Sequence, residues 1–225
     1  IKQPLFRNWQ ANGTIRLADH VLCLSTEDRR YVIDTLRQRP ERVTRIVNGV
    51  TLEDFTEAAV DREASILFVG GWLEVKGARL LPVIFRRLRQ KLGHAQLTIA
   101  GTGVAGDVVL GDFDPGDRDH VRVVPGPLDA AAIRDTYRAH GVFFMPSLSE
   151  GSPLSLLEAM AAGAAVVAAR IGGIPDIVRD RVDGLLFDAA APEAAADALS
   201  RVLDDPALAR LMLGLLRSQP EYRLL

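Results

Sequence analysis

Two glutamates, Glu150 and Glu158, are the residues best placed to do chemistry. Glu150 follows closely on the apolar run 142–145, and Glu158 lies eight positions further on, inside the mostly apolar helical pattern 153–162. A carboxylate in such a helix is rarely buried without a partner. The two hydroxyls of a ribose are suitable partners, because one carboxylate can accept both hydrogen bonds. The alternatives are an ordinary loop acid at Glu150 and an exposed helix residue at Glu158.

The residues between the two glutamates predict a helix start that suits an anion. Ser152 is expected to cap the helix, and Pro153 fits the first helical position. Gly151 lets a ligand approach the backbone closely, and the unpaired N–H groups of the first turn, through Leu154, suit an anionic oxygen.

A lysine in a second glycine-containing turn adds a positive charge. The run 66–69 enters the pair Gly70-Gly71, and Lys76 stands where the next helical pattern begins. There its ammonium group and the helix dipole would both attract phosphate. The alternative is a surface lysine beside a tight turn, and the spacing is not that of a P-loop ATPase.

These side chains need a parallel sheet to bring them together, and the chain predicts one. Short apolar runs alternate with helical patterns, which is typical of βαβ units. We predict an α/β fold with a doubly wound, parallel six-stranded sheet. Its strands are 66–69, 96–100, 121–124, 142–145, 165–168 and 184–187, and its helices are 77–92, 130–139, 153–162 and 192–203.

Ligands bind at the carboxyl ends of the strands in such sheets. Four glycine-bearing loops follow strands, so we expect a crevice lined by Lys76, Gly101, Glu150 and Gly172. Val104 and Ala105 precede a run that is interpreted as loop-like.

Residues 1–50 do not belong to this series. They hold strand-like runs at 20–24 and 43–47, with a helix between them that Ser25 or Thr26 caps. That is too little to bury a core, so we expect an exposed apolar surface that further chain normally covers. We interpret 1–50 as the remnant of one domain, 51–63 as a linker and 64–225 as the main domain.

Composition excludes several classes of function. The chain has 225 residues, is 48% hydrophobic and carries a formal net charge of −2, which argues against non-specific nucleic-acid binding. The single cysteine, Cys23, rules out a disulfide framework within the chain and favours a reducing, cytoplasmic setting. The four histidines share no metal-ligand spacing with one another or with Cys23. No apolar run is as long as a membrane span.

Taken together, these residues resemble family 4 of the group 1 glycosyltransferases, which have the GT-B fold. The family carries a Glu-x7-Glu motif that Glu150 and Glu158 match in spacing and setting. The segments 161–168 and 171–178 are similar to the turn and glycine loop that follow it, and 48–50 resembles the end of the family's first domain. The resemblance covers essentially the whole chain and is most specific over 145–187.

The resemblance implies a Rossmann-like donor-binding domain, mainly the C-terminal half of a GT-B enzyme. It implies sugar transfer from a nucleotide-diphosphate sugar with retention, to a carbohydrate, lipid or small-molecule acceptor, without a metal or other cofactor. Glu150 would be the catalytic residue, acting by hydrogen bonding and electrostatics near the sugar. The expected donor-binding residues are Lys76, Gly71, Gly101, Gly151, Ser152, Pro153, Leu154, Glu158 and Pro127.

Within that set, Glu158 would bind the ribose, whereas Lys76 and the amides from Gly151 to Leu154 would hold the diphosphate. The loop containing Pro127 would lie against the base. Many members carry Arg where this chain has Gly71, so altered diphosphate contact is expected. We expect the 225-residue chain alone to be poorly active or inactive, and we expect a longer protein that could contact the cytoplasmic face of a membrane.

Three alternatives stay open. One is a nucleotide-sugar-binding module without catalysis, and another is a sugar-nucleotide epimerase or a phosphorylase of the GT-B fold. The third is a structural α/β module whose glycines only make turns. Donor turnover distinguishes the first from a transferase, and absence of nucleotide binding would favour the last.

Overall fold

The computed structural model describes residues 9–55, 63–205 and 207–209. The strands are β1 (Val21–Cys23), β2 (Val43–Arg45), β3 (Glu63–Val69), β4 (Leu97–Ala100), β5 (Val121–Val124), β6 (His140–Met145), β7 (Ala165–Ala169) and β8 (Leu185–Phe187). The α-helices are α1 (Trp9–Leu17), α2 (Thr26–Arg30), α3 (Leu80–Lys91), α4 (Gly106–Gly111), α5 (Ala130–Ala139), α6 (Leu154–Ala161), α7 (Ile174–Ile177) and α8 (Pro192–Asp204).

Six of the strands form one parallel sheet in the order β5-β4-β3-β6-β7-β8. The chain builds outwards from β3 to β5, then returns to the other side of β3 with β6. The order therefore reverses between β3 and β6, which opens a crevice at their carboxyl ends. This architecture confirms the predicted fold class, and every strand of the predicted sheet is found to within a few residues.

Alternating apolar side chains on the strands build a core on each face of the sheet. On β3, Ile66 and Phe68 face α3 and α8, whereas Leu67 faces the opposite layer with α5 and α6. Because both faces are covered, the central strands are apolar along their length. Within the described ranges no helix is long and apolar enough to cross a membrane.

The N-terminal segment, residues 9–50, has a small sheet of its own. Strand β1 pairs in parallel with β2 and does not join the six-stranded sheet. Cys23, Val32 and Val43 belong to a separate buried cluster, whereas Leu22 is 62% exposed. An exposed leucine on so small a sheet fits the expected uncovered surface. The domain boundaries stay predictions.

Two local predictions differ from the structure. The run after Ala105, predicted to be loop-like, contains helix α4, because Val109 is fully buried against the sheet and this packing outweighs the poor helix propensity of Gly and Val. The predicted cap at Ser25 is confirmed, and α2 continues as a π-helical turn, Tyr31–Thr35. In the predicted linker, Phe55 is buried in the core beside α5 and α6.

Candidate functional site

The loops after β3 and β6 meet at the point where the strand order reverses. The Leu148 amide donates a hydrogen bond to the Val75 carbonyl at 2.8 Å. Gly77 has φ 86°, and a Cβ on it would overlap the carbonyl oxygen of Pro146. Only glycine allows so close an approach, so this turn fixes the position of the adjacent Lys76.

Lys76 and Glu150 form an ion pair across this crevice. Lys76 Nζ donates to Glu150 Oε1 at 2.7 Å, with side-chain exposures of 34% for the lysine and 7% for the glutamate. The ammonium group has three donors, so it can bind an anion while still holding the carboxylate. The structure thus brings together the two charges that the sequence placed in separate loops.

Ser147 completes this arrangement, and it was missed in the sequence. Its hydroxyl donates to the same Glu150 oxygen at 2.7 Å and is almost completely buried. The signal was present, because Ser147 is a polar residue just after a predicted strand. With a serine and a lysine on one oxygen, the orientation of the Glu150 carboxylate is fixed.

Glu158 has a protein partner that the sequence did not reveal. Tyr137, which is fully buried in α5, donates its hydroxyl to Glu158 Oε2 at 2.9 Å. Burial raises the pKa of Tyr137 well above its ordinary value, and the Glu158 charge and hydrogen bond raise it further. Glu158 is therefore neither free nor simply exposed, and its second oxygen remains available for a ligand.

Replacing Tyr137 by Phe tests this hydrogen bond. Tyr137→Phe should lower the free energy of unfolding by about 1 kcal/mol at neutral pH, because Glu158 loses a donor. The raised pKa favours the neutral phenol in the folded state. This stabilisation is therefore complete below the unfolded pKa of about 10 and declines as pH rises above it. Urea unfolding of both proteins should show their difference narrowing above about pH 10; a difference that does not change with pH would contradict the assignment.

The start of α6 differs from the prediction by one residue. Leu154 is its first residue and Pro153 is the N-cap, without a side-chain cap. The prediction that Ser152 caps the helix was wrong. Its hydroxyl instead accepts a hydrogen bond from the backbone N–H of Asn48 at 3.2 Å, and Asn48 Nδ2 donates to the Ser152 carbonyl at 2.6 Å. Ser152 lies two residues before the helix and forms its hydrogen bonds with the N-terminal segment instead. The first-turn amides remain uncapped by side chains.

The glycine loop after β7 packs on the backbone beside Glu150. The Gly173 amide donates to the Glu150 carbonyl at 3.0 Å, and a Cβ on Gly173 would overlap the Gly151 carbonyl oxygen. The glycine here serves close backbone packing, because the φ of Gly173 is −89° and suits any residue. The predicted position of this loop at the same sheet edge is confirmed.

Gly173→Ala should therefore destabilise the protein by sterics alone. We expect a loss of at least about 1 kcal/mol in the free energy of unfolding, as for other forced close contacts. Gly93→Ala is the matched control, since a Cβ there meets nothing within 4 Å. Chemical denaturation of both variants gives the comparison. Equal stability of the two variants would mean that the loops do not approach this closely in solution.

The remaining predicted residues lie on the loops after β3, β4 and β5. The Trp72 amide, next to Gly71, donates to the Thr102 carbonyl at 2.8 Å, and the Gly101 amide donates to the Val124 carbonyl at 2.9 Å. Pro127 follows Gly126 through a cis peptide bond. The three loops thus line the same sheet edge as the Lys76–Glu150 pair. Trp72 packs against the core and stacks on Phe113.

Across the described ranges, the acidic, histidine and cysteine side chains form no group of three that could hold a metal ion. The charged residues predicted for this crevice include Lys76, Glu150 and Glu158. Such a set binds anionic and hydroxyl groups. Lys76 and the α6 amides suit a phosphate, and the carboxylates accept hydrogen bonds from hydroxyl groups.

Comparison with known proteins agrees with this geometry. The family model described as "Glycosyl transferases group 1" matches residues 63–205. The chain is 32% identical over 218 residues to the D-inositol 3-phosphate glycosyltransferase of Thermobifida fusca, which covers 87% of this chain and 49% of that protein. The chain spans about half the length of the curated relatives it matches.

Two solved structures show the same fold. S. aureus TarM, a mutant in complex with fondaparinux, alpha-GlcNAc-glycerol and UDP, has a TM-score of 0.79 at 18% identity. That match covers 93% of this chain and 42% of TarM. The C-terminal domain of the glycosyl transferase group 1 protein LpcC from Francisella tularensis has a TM-score of 0.68 at 21% identity. It is matched over its full length and covers 79% of this chain.

Proposed function

The chain belongs to the group 1 glycosyl transferases, and from that membership we propose that it forms the donor site of a retaining enzyme that uses a nucleotide-diphosphate sugar. The observation that carries the proposal is the Lys76–Glu150 pair at the point where the strand order reverses. A cation, a helix start without a side-chain cap and two carboxylates lie together at the carboxyl edge of the sheet, where parallel sheets bind ligands.

Each of these groups meets one need of donor chemistry. When the bond to the transferred sugar breaks, negative charge develops on the departing diphosphate. Lys76 and the first-turn amides of α6 stabilise that charge without a metal. Glu150, held by Lys76 and Ser147, presents its carboxylate beside the anomeric carbon, where positive charge develops.

Glu158 and Tyr137 supply the nucleoside contact in this proposal. Tyr137 holds one carboxylate oxygen of Glu158, and the other accepts from the ribose hydroxyls. Pro127 lies against the base. Because the TarM structure contains UDP, uracil is the first base to test. The acceptor is a carbohydrate, a lipid or a small molecule, and the name of the Thermobifida relative makes an inositol phosphate the first candidate.

Titration of the 225-residue chain with UDP, GDP and ADP tests the donor site. A nucleotide at 100 times its dissociation constant should stabilise the fold by about 2.7 kcal/mol, which a thermal-shift measurement detects. EDTA should leave the shift unchanged, since the proposal involves no metal. Uridine without phosphates is the control and should bind much more weakly. Absence of any shift with all three diphosphates would remove the proposal and favour a structural module.

Retention and transfer need the sugar-bound donor. Incubation with a labelled nucleotide sugar and an acceptor measures turnover, and NMR of the product's anomeric proton gives the stereochemistry. Retention is expected. An inverted product would contradict the role given to Glu150. Slow turnover or none is the result expected of the 225-residue chain by itself.

A further inference from the structure

Asp176, in the first turn of α7, ties the N-terminal segment to the main sheet. Its Oδ2 accepts a hydrogen bond from the Thr26 amide at 2.6 Å and lies 3.7 Å from Arg45 Nη1. Thr26 begins α2 and Arg45 ends β2. One carboxylate therefore holds two separate elements of the segment, 150 and 131 residues away along the chain.

The contact differs from an ordinary surface ion pair. Asp176 is largely buried, with 20% of its side chain exposed, and it accepts a hydrogen bond from a backbone N–H at a helix start. A carboxylate is favoured there by the helix dipole, and this hydrogen bond fixes a backbone position. Lys91 and Asp197, by contrast, form an exposed pair of the kind that contributes little.

A second contact lies beside the first. Asn48 donates hydrogen bonds to both the hydroxyl and the carbonyl of Ser152. Leu24 packs beside Gly151, since a Cβ added to that glycine would lie 3.2 Å from the Leu24 Cβ. The Gly173 amide in turn holds the Glu150 carbonyl. The N-terminal segment thus touches the loop that contains Glu150, at Ser152, and the start of α7, at Asp176.

We propose that Asp176 is a positioning residue: by holding Thr26 and Arg45 it keeps the N-terminal segment against the loops after β6 and β7 and so preorganises the anion-binding backbone at 151–154. The consequence for ligand binding rests on the proposed function, whereas the consequence for the position of the segment does not. The reason for an effect on affinity is entropic. Loops already ordered in the free protein lose less freedom when a ligand binds.

Hydrogen–deuterium exchange of the 225-residue chain tests whether Asp176 holds the N-terminal segment in place. In Asp176→Ala, amides of 21–36 and 43–48 should exchange about tenfold faster or more, the loss expected for one hydrogen bond to a charged group. The exchange rates of the β6 amides should not change, which shows that the sheet stays folded. Asp197→Ala is the matched control and should alter neither region. Unchanged exchange at 21–36 in Asp176→Ala would overturn the proposal.

UDP affinity tests the positioning part with the same proteins. Asp176→Ala should weaken UDP binding by about 3- to 10-fold, although Asp176 is not proposed to touch the nucleotide. Asp176→Asn keeps an acceptor for Thr26 but loses the charge facing Arg45. Its UDP affinity should therefore lie between those of the wild type and Asp176→Ala, and it carries the test if the alanine variant does not fold. Faster exchange with unchanged UDP affinity would refute the positioning role. If the wild-type chain does not bind UDP, GDP or ADP, the proposed function fails, and the exchange result still decides whether Asp176 holds the segment.

Discussion

Lys76→Met should weaken the binding of UDP by about 30-fold or more, the equivalent of at least about 2 kcal/mol for one partner of a hydrogen-bonded charge pair. Two effects add here. The diphosphate loses its cationic ligand, and Glu150, which is 7% exposed, loses the charge that compensates its carboxylate. An unpaired Glu150 would then repel the diphosphate.

Isothermal titration with UDP measures this effect, and Lys91→Met is the control. Lys91 forms an exposed pair with Asp197 on the helical layer, so its loss should change neither UDP affinity nor stability appreciably. Lys76→Arg retains the charge and should keep part of the affinity. UDP affinity equal to that of the wild type in Lys76→Met would show that the diphosphate lies elsewhere, and the proposed site would have to be abandoned.

Glu158→Ala should weaken nucleotide binding by about 1.5–3 kcal/mol, the value typical of hydrogen bonds to a charged group. The carboxylate is held by Tyr137 on one oxygen, which orients the other oxygen for the proposed ribose contact. The effect should be larger for UDP than for 2′-deoxy-UDP, because the deoxy nucleotide lacks one of the two hydroxyls. Equal losses for both nucleotides would remove Glu158 from the ribose role.

Two control variants separate binding from folding in this experiment. Glu158→Gln keeps an acceptor for Tyr137 and should retain most of the stability while losing part of the ribose contact. Glu193→Ala removes an exposed glutamate from α8 and should leave UDP affinity unchanged. Circular dichroism of each variant checks the fold before titration.

The sequence alone was sufficient for the sheet and for the edge at which the site lies. Strand runs such as 142–145 are bounded by turn residues, and burial on both faces makes them apolar throughout, so local pattern identifies them. In a parallel sheet all strands end at one edge, so the loops with Lys76, Glu150 and Gly172 had to lie there. The resemblance to group 1 glycosyltransferases followed from the same loops, and the family model confirms it.

Only the tertiary structure decided which side chains touch. Tyr137 reaches Glu158 across 21 residues, Lys76 reaches Glu150 across 74, and Thr26 reaches Asp176 across 150. Contacts of this kind depend on the order of the strands and on the rotamers of packed helices, and neither leaves a periodic pattern in the chain. Helix α4 shows the same limit, since burial of Val109 against the sheet outweighs a weak local preference. Local periodicity therefore located the elements and the edge of the site, whereas long-range packing fixed the partners of each charged group.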